Sequence, residues 1–231
     1  MARSPIALEG VLFVAAPAVA AVAAWGAGLA WLAWPFGLAA LFCCWFFRDP
    51  ERVVPEGADL VVSPADGKII RLERVREERL LKDEALKISI FMNVFNVHVN
   101  RVPASGRVLE VLYRPGRFFN ASLDKASEEN EKNYVLVEDD AGRRYVFCQI
   151  AGLIARRIVC RLAPGERVKR GERFGLIRFG SRLDVYLPTD SEPMVRRGEK
   201  VRAGSSVLAR FAPAGAQGPG EGGGAGERPQ P

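Results

Sequence analysis

Three short stretches of this 231-residue chain carry side chains able to do chemistry. The first is Phe179-Gly180-Ser181-Arg182. Gly180 puts no side chain beside its own carbonyl, so the hydroxyl of Ser181 has a clear approach to that carbon. The second is Asn96-Val97-His98-Val99-Asn100-Arg101, which holds the only histidine. Strand alternation places His98 on one face with Asn96 and Asn100, and such a polar row must be hydrogen-bonded or line a pocket. An imidazole titrates near neutral pH, which suits it to general acid or base work. The third is Ser63-Pro64-Ala65-Asp66-Gly67, a tight turn that presents the Asp66 carboxylate. Taken singly, each has a plain structural reading as a strand turn, a satisfied core histidine or a turn aspartate. No Gly-x-Ser-x-Gly elbow, phosphate-binding glycine loop or dinucleotide fingerprint is present. The four cysteines, Cys43, Cys44, Cys148 and Cys160, have no metal-ligand spacing; they read as reduced thiols, and no metal is expected.

The elements that must position these residues read mainly as β-strands. Phe174, Leu176, Ile177 and Phe179 lead into Ser181, and Leu183, Val185 and Leu187 follow it with the same period of two. Leu86 to Val102 reads as one long apolar strand, and Arg74 to Lys87 as a charged loop or short helix. Further strands are expected at Gly106–Tyr113, Asn133–Glu138, Arg144–Ile150 and Arg157–Val159. A weak repeat relates Glu166-Arg167-Val168-Lys169-Arg170-Gly171 to Glu199-Lys200-Val201-Arg202-Ala203-Gly204. Each copy predicts a strand–turn–strand unit with glycine in the turn, as in domains of the biotinyl/lipoyl type. The fold class is therefore mainly β (α+β), a sandwich- or barrel-like domain over residues 48–211. From Ala212 to Pro231 the chain is Gly/Pro/Ala-rich and reads as a disordered tail.

The N-terminal 47 residues are of another kind. From Gly10 to Phe47 there is no charged residue, and all four tryptophans fall in this run. One charge at mid-bilayer is unfavourable by about 2.5–3.5 kcal/mol, and tryptophan anchors at lipid–water boundaries. A span needs about 20 residues, so the run fits a helical membrane hairpin turning near Gly26 and Gly28. Arg3 on one flank and Arg48 and Arg52 on the other place both ends on the positive, cytoplasmic side. A net charge of +6 suits an anionic lipid surface. The basic residues lack aromatic interleaving, which speaks against nucleic acid as a partner. Deleting residues 1–47 is expected to weaken membrane association more than any chemistry at Ser181.

Asn93, Val97, His98, Asn100, Arg101 and Pro103, taken with Phe179-Gly180-Ser181, Asp184, Tyr186, Pro188 and the Asp66 turn, resemble the short bacterial form of the phosphatidylserine decarboxylase family. The likeness runs from about Phe47 to Phe211. It implies a proenzyme that cuts itself between Gly180 and Ser181 into a β chain (1–180) and an α chain (181–231), which remain together as a heterodimer. Ser181 would become a covalent pyruvoyl group, the cofactor, whose ketone condenses with the amino group of phosphatidylserine and accepts electrons as carbon dioxide leaves. Ser181, His98 and Asp66 are then the catalytic residues, with His98 protonating the product carbon and Asp66 supporting the serine. Asn96, Asn100 and Arg101 are candidates for the lipid headgroup. The setting would be the cytoplasmic face of the cell membrane, with phospholipid as partner. Longer family members have a second histidine where this chain has Arg101, and Leu-Gly-Ser-Thr where it has Phe-Gly-Ser-Arg, so the base for Ser181 is open among Asp66, His98 and water. The competing reading is a non-enzymatic membrane-tethered adaptor in which Gly180-Ser181 is an ordinary turn.

Overall fold

A computed structural model describes residues 5–118, 129–152, 157–178 and 181–213. Two apolar helices come first, α1 (Val11–Gly26) and α2 (Ala30–Phe46). They reverse over residues 27–29, and their base is clipped shut. Phe47 O accepts the Ala7 N–H at 2.8 Å, and Pro5 O accepts that of Asp49 at 2.7 Å. Only Ala24, Ala33 and Phe46 are buried within the two helices. Apolar side chains face outward all round, unlike the one-sided stripe of a helix packed on a soluble core. The stretch Leu8–Gly26 is long and apolar enough to cross a membrane, whereas α2 is shorter.

The remainder is β structure: β1 (Leu60–Val62), β2 (Gly67–Glu77), β3 (Asp83–Met92), β4 (Val99–Arg101), β5 (Gly106–Arg114), β6 (Lys132–Glu138), β7 (Arg144–Ala151), β8 (Ile158–Cys160), β9 (Arg167–Val168), β10 (Arg173–Ile177), β11 (Ser181–Leu187), β12 (Glu192–Pro193), β13 (Lys200–Val201) and β14 (Val207–Arg210). Eight strands form one antiparallel sheet in the order β13-β2-β3-β11-β7-β6-β5-β9, so the strand that begins at Ser181 lies in its interior. A small sheet, β4-β10-β8, packs over one face of it. The Phe147 and Phe174 rings meet there at 4.8 Å between centroids. Ile88, Ile90, Met92, Val135, Leu183, Val185 and Leu187 fill the core on that side.

Two readings of the sequence change. Arg74 to Lys87 is not a helix or simple loop: β2 and β3 run through it as a hairpin. The Glu77 carboxylate accepts the N–H groups of Arg79, Leu80 and Leu81 in the turn. Charges on the outer face hid the period of two; Glu73 stands opposite Lys87, 3.7 Å away at the charged atoms. The run Leu86–Val102 is likewise broken after Met92. The repeat does take one local shape twice: β9 and β13 each lead to a glycine of positive φ, Gly171 (77°) and Gly204 (73°). A Cβ on Gly204 would lie 3.7 Å from the Gly171 Cα, so the two turns sit together. The tail from 214 onward lies outside the described residues.

Candidate active site

Ser181 is the first residue of β11, fully buried, opposite Met92 on β3 and Ala151 on β7. One register step closes the site. Met92 pairs with Ser181, and Val99 on β4 pairs with Leu176 on β10. Residues 93–98 are thus enclosed between two fixed pairs, which brings His98 to the end of the sheet where β11 begins at Ser181. Phe179 and Gly180 themselves are outside the described residues.

The turn over 93–96 is built by asparagines. Asn93 Oδ1 accepts the Phe95 N–H and Asn96 Oδ1 that of Asn93, each at 2.9 Å. Such side-chain bonds substitute for the strand ladder. Asn96 therefore belongs to the turn, and the expected row of Asn96, His98 and Asn100 along one strand face does not form.

His98 is 2% exposed, and its ring stacks on Phe46 from the end of α2 at 4.2 Å. Its Nδ1 lies 2.9 Å from the Asn96 carbonyl oxygen. A carbonyl only accepts, so Nδ1 carries the proton and Nε2 the lone pair. Burial, with the positive charge of Arg48 adding to it against the bond to Asn96, pushes the imidazole down to about 4. His98 is therefore neutral at pH 7, where the sequence alone suggested titration near neutrality. The sign for stability follows from linkage. The unfolded chain takes up this proton near the ordinary value of 6.5 and the folded chain only near 4. Stability is then fully present above about pH 6.5 and falls by on the order of 3 kcal/mol as pH drops toward 4. Denaturant melts at pH 7 and pH 4.5, compared with those of His98→Gln, check this, because the variant should lose that part of the slope.

The base of the helical pair is a wall of this site. Phe46, Phe47, Val97, Val99 and Leu176 form one buried cluster. Arg48 donates to Phe95 O at 2.8 Å, and the Arg178 guanidinium sits over Phe13 of α1 at 4.9 Å. This revises the expectation for deleting residues 1–47, because the cut also uncovers His98. Phe46→Ala should destabilise the fold by about 3–5 kcal/mol, as for other large buried rings. It should also move the single imidazole resonance toward an ordinary titration, which NMR can follow without assignment since there is one histidine.

Asp66 stands at the head of β2, separated from β11 by β3, roughly 10 Å away at about 4.8 Å per strand spacing. Its Oδ2 pairs with Arg52 at 2.8 Å and its Oδ1 accepts the Ala203 N–H at 2.7 Å. Gly67 after it has no alternative, since a Cβ there would lie 2.3 Å from the Phe91 carbonyl oxygen. The buried Arg101 donates to Gly171 O and Pro50 O, each at 3.0 Å, and meets Asp49 at 3.5 Å. In this way it ties the helix–domain linker to the repeat turns. Arg182 is fully buried on the other sheet face in a two-pronged pair with Asp184, at 2.6 and 2.5 Å. Burial pushes the Asp184 carboxyl up, but Arg182 more than offsets this and holds it below the usual carboxylate range. The arginine after the serine thus brings its own counter-ion two residues on.

The sequence pattern pointed to neither Phe46, Met92 nor Gln149, whose amide donates to Asn100 Oδ1 at 2.9 Å, and it marked Arg48 only as a positive flank. Gln149 had a signal, a polar residue inside the apolar strand Tyr145–Ala151. Phe46 had none, being one ring among many in an apolar run. Among the described residues no cluster suited to a metal occurs.

These features define a mainly β protein with an apolar helical N-terminus, whose one histidine and one strand-end serine are folded to the same end of a central sheet. The chain belongs to the phosphatidylserine decarboxylase family, whose sequence profile matches residues 39–209. It is 53% identical to the phosphatidylserine decarboxylase proenzyme of Syntrophus aciditrophicus over 207 residues, 89% of this chain and 97% of that one. It is 54% identical to the protein of the same name from Nitratidesulfovibrio vulgaris over 181 residues (78% and 83% of the two chains). With that of Burkholderia mallei it shares 52% over 206 residues (89% and 95%).

Proposed function

We propose that this protein is an enzyme that converts phosphatidylserine to phosphatidylethanolamine and carbon dioxide, after cutting its own chain between Gly180 and Ser181. The observation that carries the reading is Ser181, held buried and in register at the head of an interior strand in a chain that matches proenzymes along nearly their whole length. The Ser181 Oγ attacks the Gly180 carbonyl carbon, the amide C–N bond breaks, and the released nitrogen takes the proton, leaving an ester. Removal of the Ser181 α-proton then expels the Gly180 carboxylate, and the resulting dehydroalanine hydrolyses with loss of ammonia.

The pyruvoyl group so formed supplies a carbonyl that binds the substrate amine and accepts electrons as carbon dioxide leaves. The site suits it: Ala151, directly opposite, is small, and the Met92 sulfur is soft and adaptable. The rest falls to the chain's own side chains. His98 takes up a proton at Nε2 and delivers it to the carbon that has lost its carboxylate; an anionic headgroup alongside favours the charged imidazolium. Asp66 has both oxygens engaged, so its part is to hold Arg52 and the linker in place. That leaves His98 Nε2 or a water to receive the Ser181 proton. Arg101 fixes the wall of the site through Asp49 and Pro50. Asn100, closer to Ser181, and Asn96 in the turn are the polar groups available to the headgroup.

After cleavage the α chain stays bound because β11 lies between β3 and β7, while β13 and β14 pair with β2 and β1. The apolar N-terminal helices support a setting at a membrane, the stretch Leu8–Gly26 being long enough to cross one. Trp25, Trp31 and Trp34 lie exposed toward their tip and Trp45 at their base, two levels suited to two lipid–water boundaries. Arg48 and Arg52 beside the helix base favour the cytoplasmic face, since it is basic residues that bias orientation. A diacyl lipid hardly leaves its bilayer, since each buried methylene contributes about 0.8 kcal/mol, so the catalyst must come to it. The paired repeat turns support the likeness to lipoyl-type domains. Intact-mass measurement of the purified protein tests the whole reading. Chains 1–180 and 181–231, the second with a keto-acyl terminus and no free amine, are expected, with conversion of phosphatidylserine in vesicles. The adaptor reading requires one uncut chain.

A further inference from the structure

A line of buried amides leads across the inner face of the large sheet to Ser181. Asn133 on β6 donates through Nδ2 to Gln149 Oε1 at 3.3 Å, and Gln149 donates through Nε2 to Asn100 Oδ1 at 2.9 Å and to the Val159 carbonyl at 3.3 Å. A backbone carbonyl can only accept, so the last bond fixes which end of the Gln149 amide is nitrogen. That in turn fixes Asn100: its oxygen faces Gln149, and its NH2 group faces the end of the sheet. There, among the described residues, Nδ2 meets only the Met92 sulfur, at 3.9 Å, and the same sulfur accepts the Ser181 hydroxyl at 3.3 Å. Asn100, Gln149, Met92 and Ser181 are all buried. A two-hydrogen donor buried against one distant thioether is far from satisfied, and buried polar groups in native proteins rarely stay so without a reason.

We propose that Asn100, locked by Gln149, is the oxyanion donor of the self-cleavage reaction. This rests on the self-cleavage reading above and adds the group that stabilises its first intermediate. When Ser181 Oγ adds to the carbonyl carbon, the carbonyl oxygen gains a full negative charge. It returns that charge when the amide bond breaks and the nitrogen takes the serine proton. The oxyanion therefore arises beside Ser181, where a preorganised N–H donor in a dry site is most effective. The Met92 sulfur serves as the resting partner of both groups, weak enough to be abandoned by each. Gln149 acts through Asn100 as a positioning residue.

The test compares wild type, Asn100→Asp, Asn100→Leu and Gln149→Leu as freshly synthesised precursors. Chain cleavage is timed by gel and intact mass, folding is checked by thermal melting, and hydroxylamine is added to a parallel sample to cut any ester already formed. Removing an oxyanion donor elsewhere slows reaction by about 10²–10³-fold. Both Asn100 variants should slow by that order while folded, without accumulating a hydroxylamine-sensitive ester. Gln149→Leu should slow less, since its Asn100 amide is only unlocked, and it decides the matter if neither Asn100 variant folds. Cleavage at the wild-type rate in a folded variant overturns the proposal, as does a folded variant that stalls as the ester, since the block would then lie at elimination. Should the wild type itself stay uncut, the self-cleavage reading fails instead, and the two failures are told apart on one gel.

Discussion

Ser181→Ala is expected to give one uncut chain of 231 residues, folded like the wild type and without decarboxylase activity. Without Oγ no acyl shift takes place, no ester forms, and the carbonyl that must accept the substrate's electrons is never made. The loss would not be one of folding. Among the described residues the Ser181 hydroxyl bonds only to the Met92 sulfur, at 3.3 Å, a weak acceptor. Deleting it removes one poor hydrogen bond and leaves no strong partner unsatisfied, so stability should change by no more than about 1 kcal/mol. Activity should fall below detection, by at least about 10⁶-fold, since what remains is a protein surface without its electron sink. Two measurements suffice, a denaturing gel with intact mass and release of labelled carbon dioxide from phosphatidylserine vesicles. A Ser181→Ala chain that is still cut at this position would remove the basis of the assignment.

How much of this could be read in advance varies with the kind of signal. Ser181 was legible because glycine before serine between two apolar strands is a local pattern, and the strands themselves are local periodicities. His98 was legible as a residue but not as a state. Its low proton affinity comes from Phe46, 52 positions earlier in sequence, whose ring covers it, and no local pattern announces a contact between an apolar helix end and a distant strand. The break after Met92 was missed because Asn93 and Asn96 look like polar members of an alternating strand until their side chains are seen closing a turn. The hairpin of β2 and β3 was missed for the opposite reason. Cross-strand charge pairs such as Glu73 with Lys87 carry its pairing, and in one dimension these read as a charged loop. Arg101 illustrates a third case. Its charge suggested a headgroup ligand, whereas its guanidinium reaches Gly171, Pro50 and Asp49, a set spread over the chain that only the fold assembles.

His98→Gln is expected to fold, to retain the stack on Phe46 in part, and to lower decarboxylation per cleaved chain by about 10²–10⁴-fold, the usual contribution of a positioned proton donor. Normalising to cleaved chain matters because His98 is also a candidate to receive the Ser181 proton, and a slower cut would otherwise be counted as slower catalysis. The pH dependence carries the sharper test. In the free enzyme burial holds His98 neutral down to about pH 4, so Nε2 is an acceptor and the charged donor is scarce at pH 7. Phosphatidylserine brings an anionic phosphate and carboxylate to the same buried place, and a negative charge within a few ångströms favours the imidazolium. The inflection in kcat, which reports the complex, should therefore lie at higher pH than that in kcat/KM, which reports the free enzyme. Both inflections should disappear in His98→Gln. Release of the carboxyl group needs only the electron sink, but the carbon left behind must be protonated before product can leave. A variant lacking the donor should accordingly release one carbon dioxide per cleaved chain promptly, then continue, and form amine product, no faster than water can supply the proton. Wild-type turnover in His98→Gln, measured per cleaved chain, would exclude the imidazole as the donor and return that role to solvent.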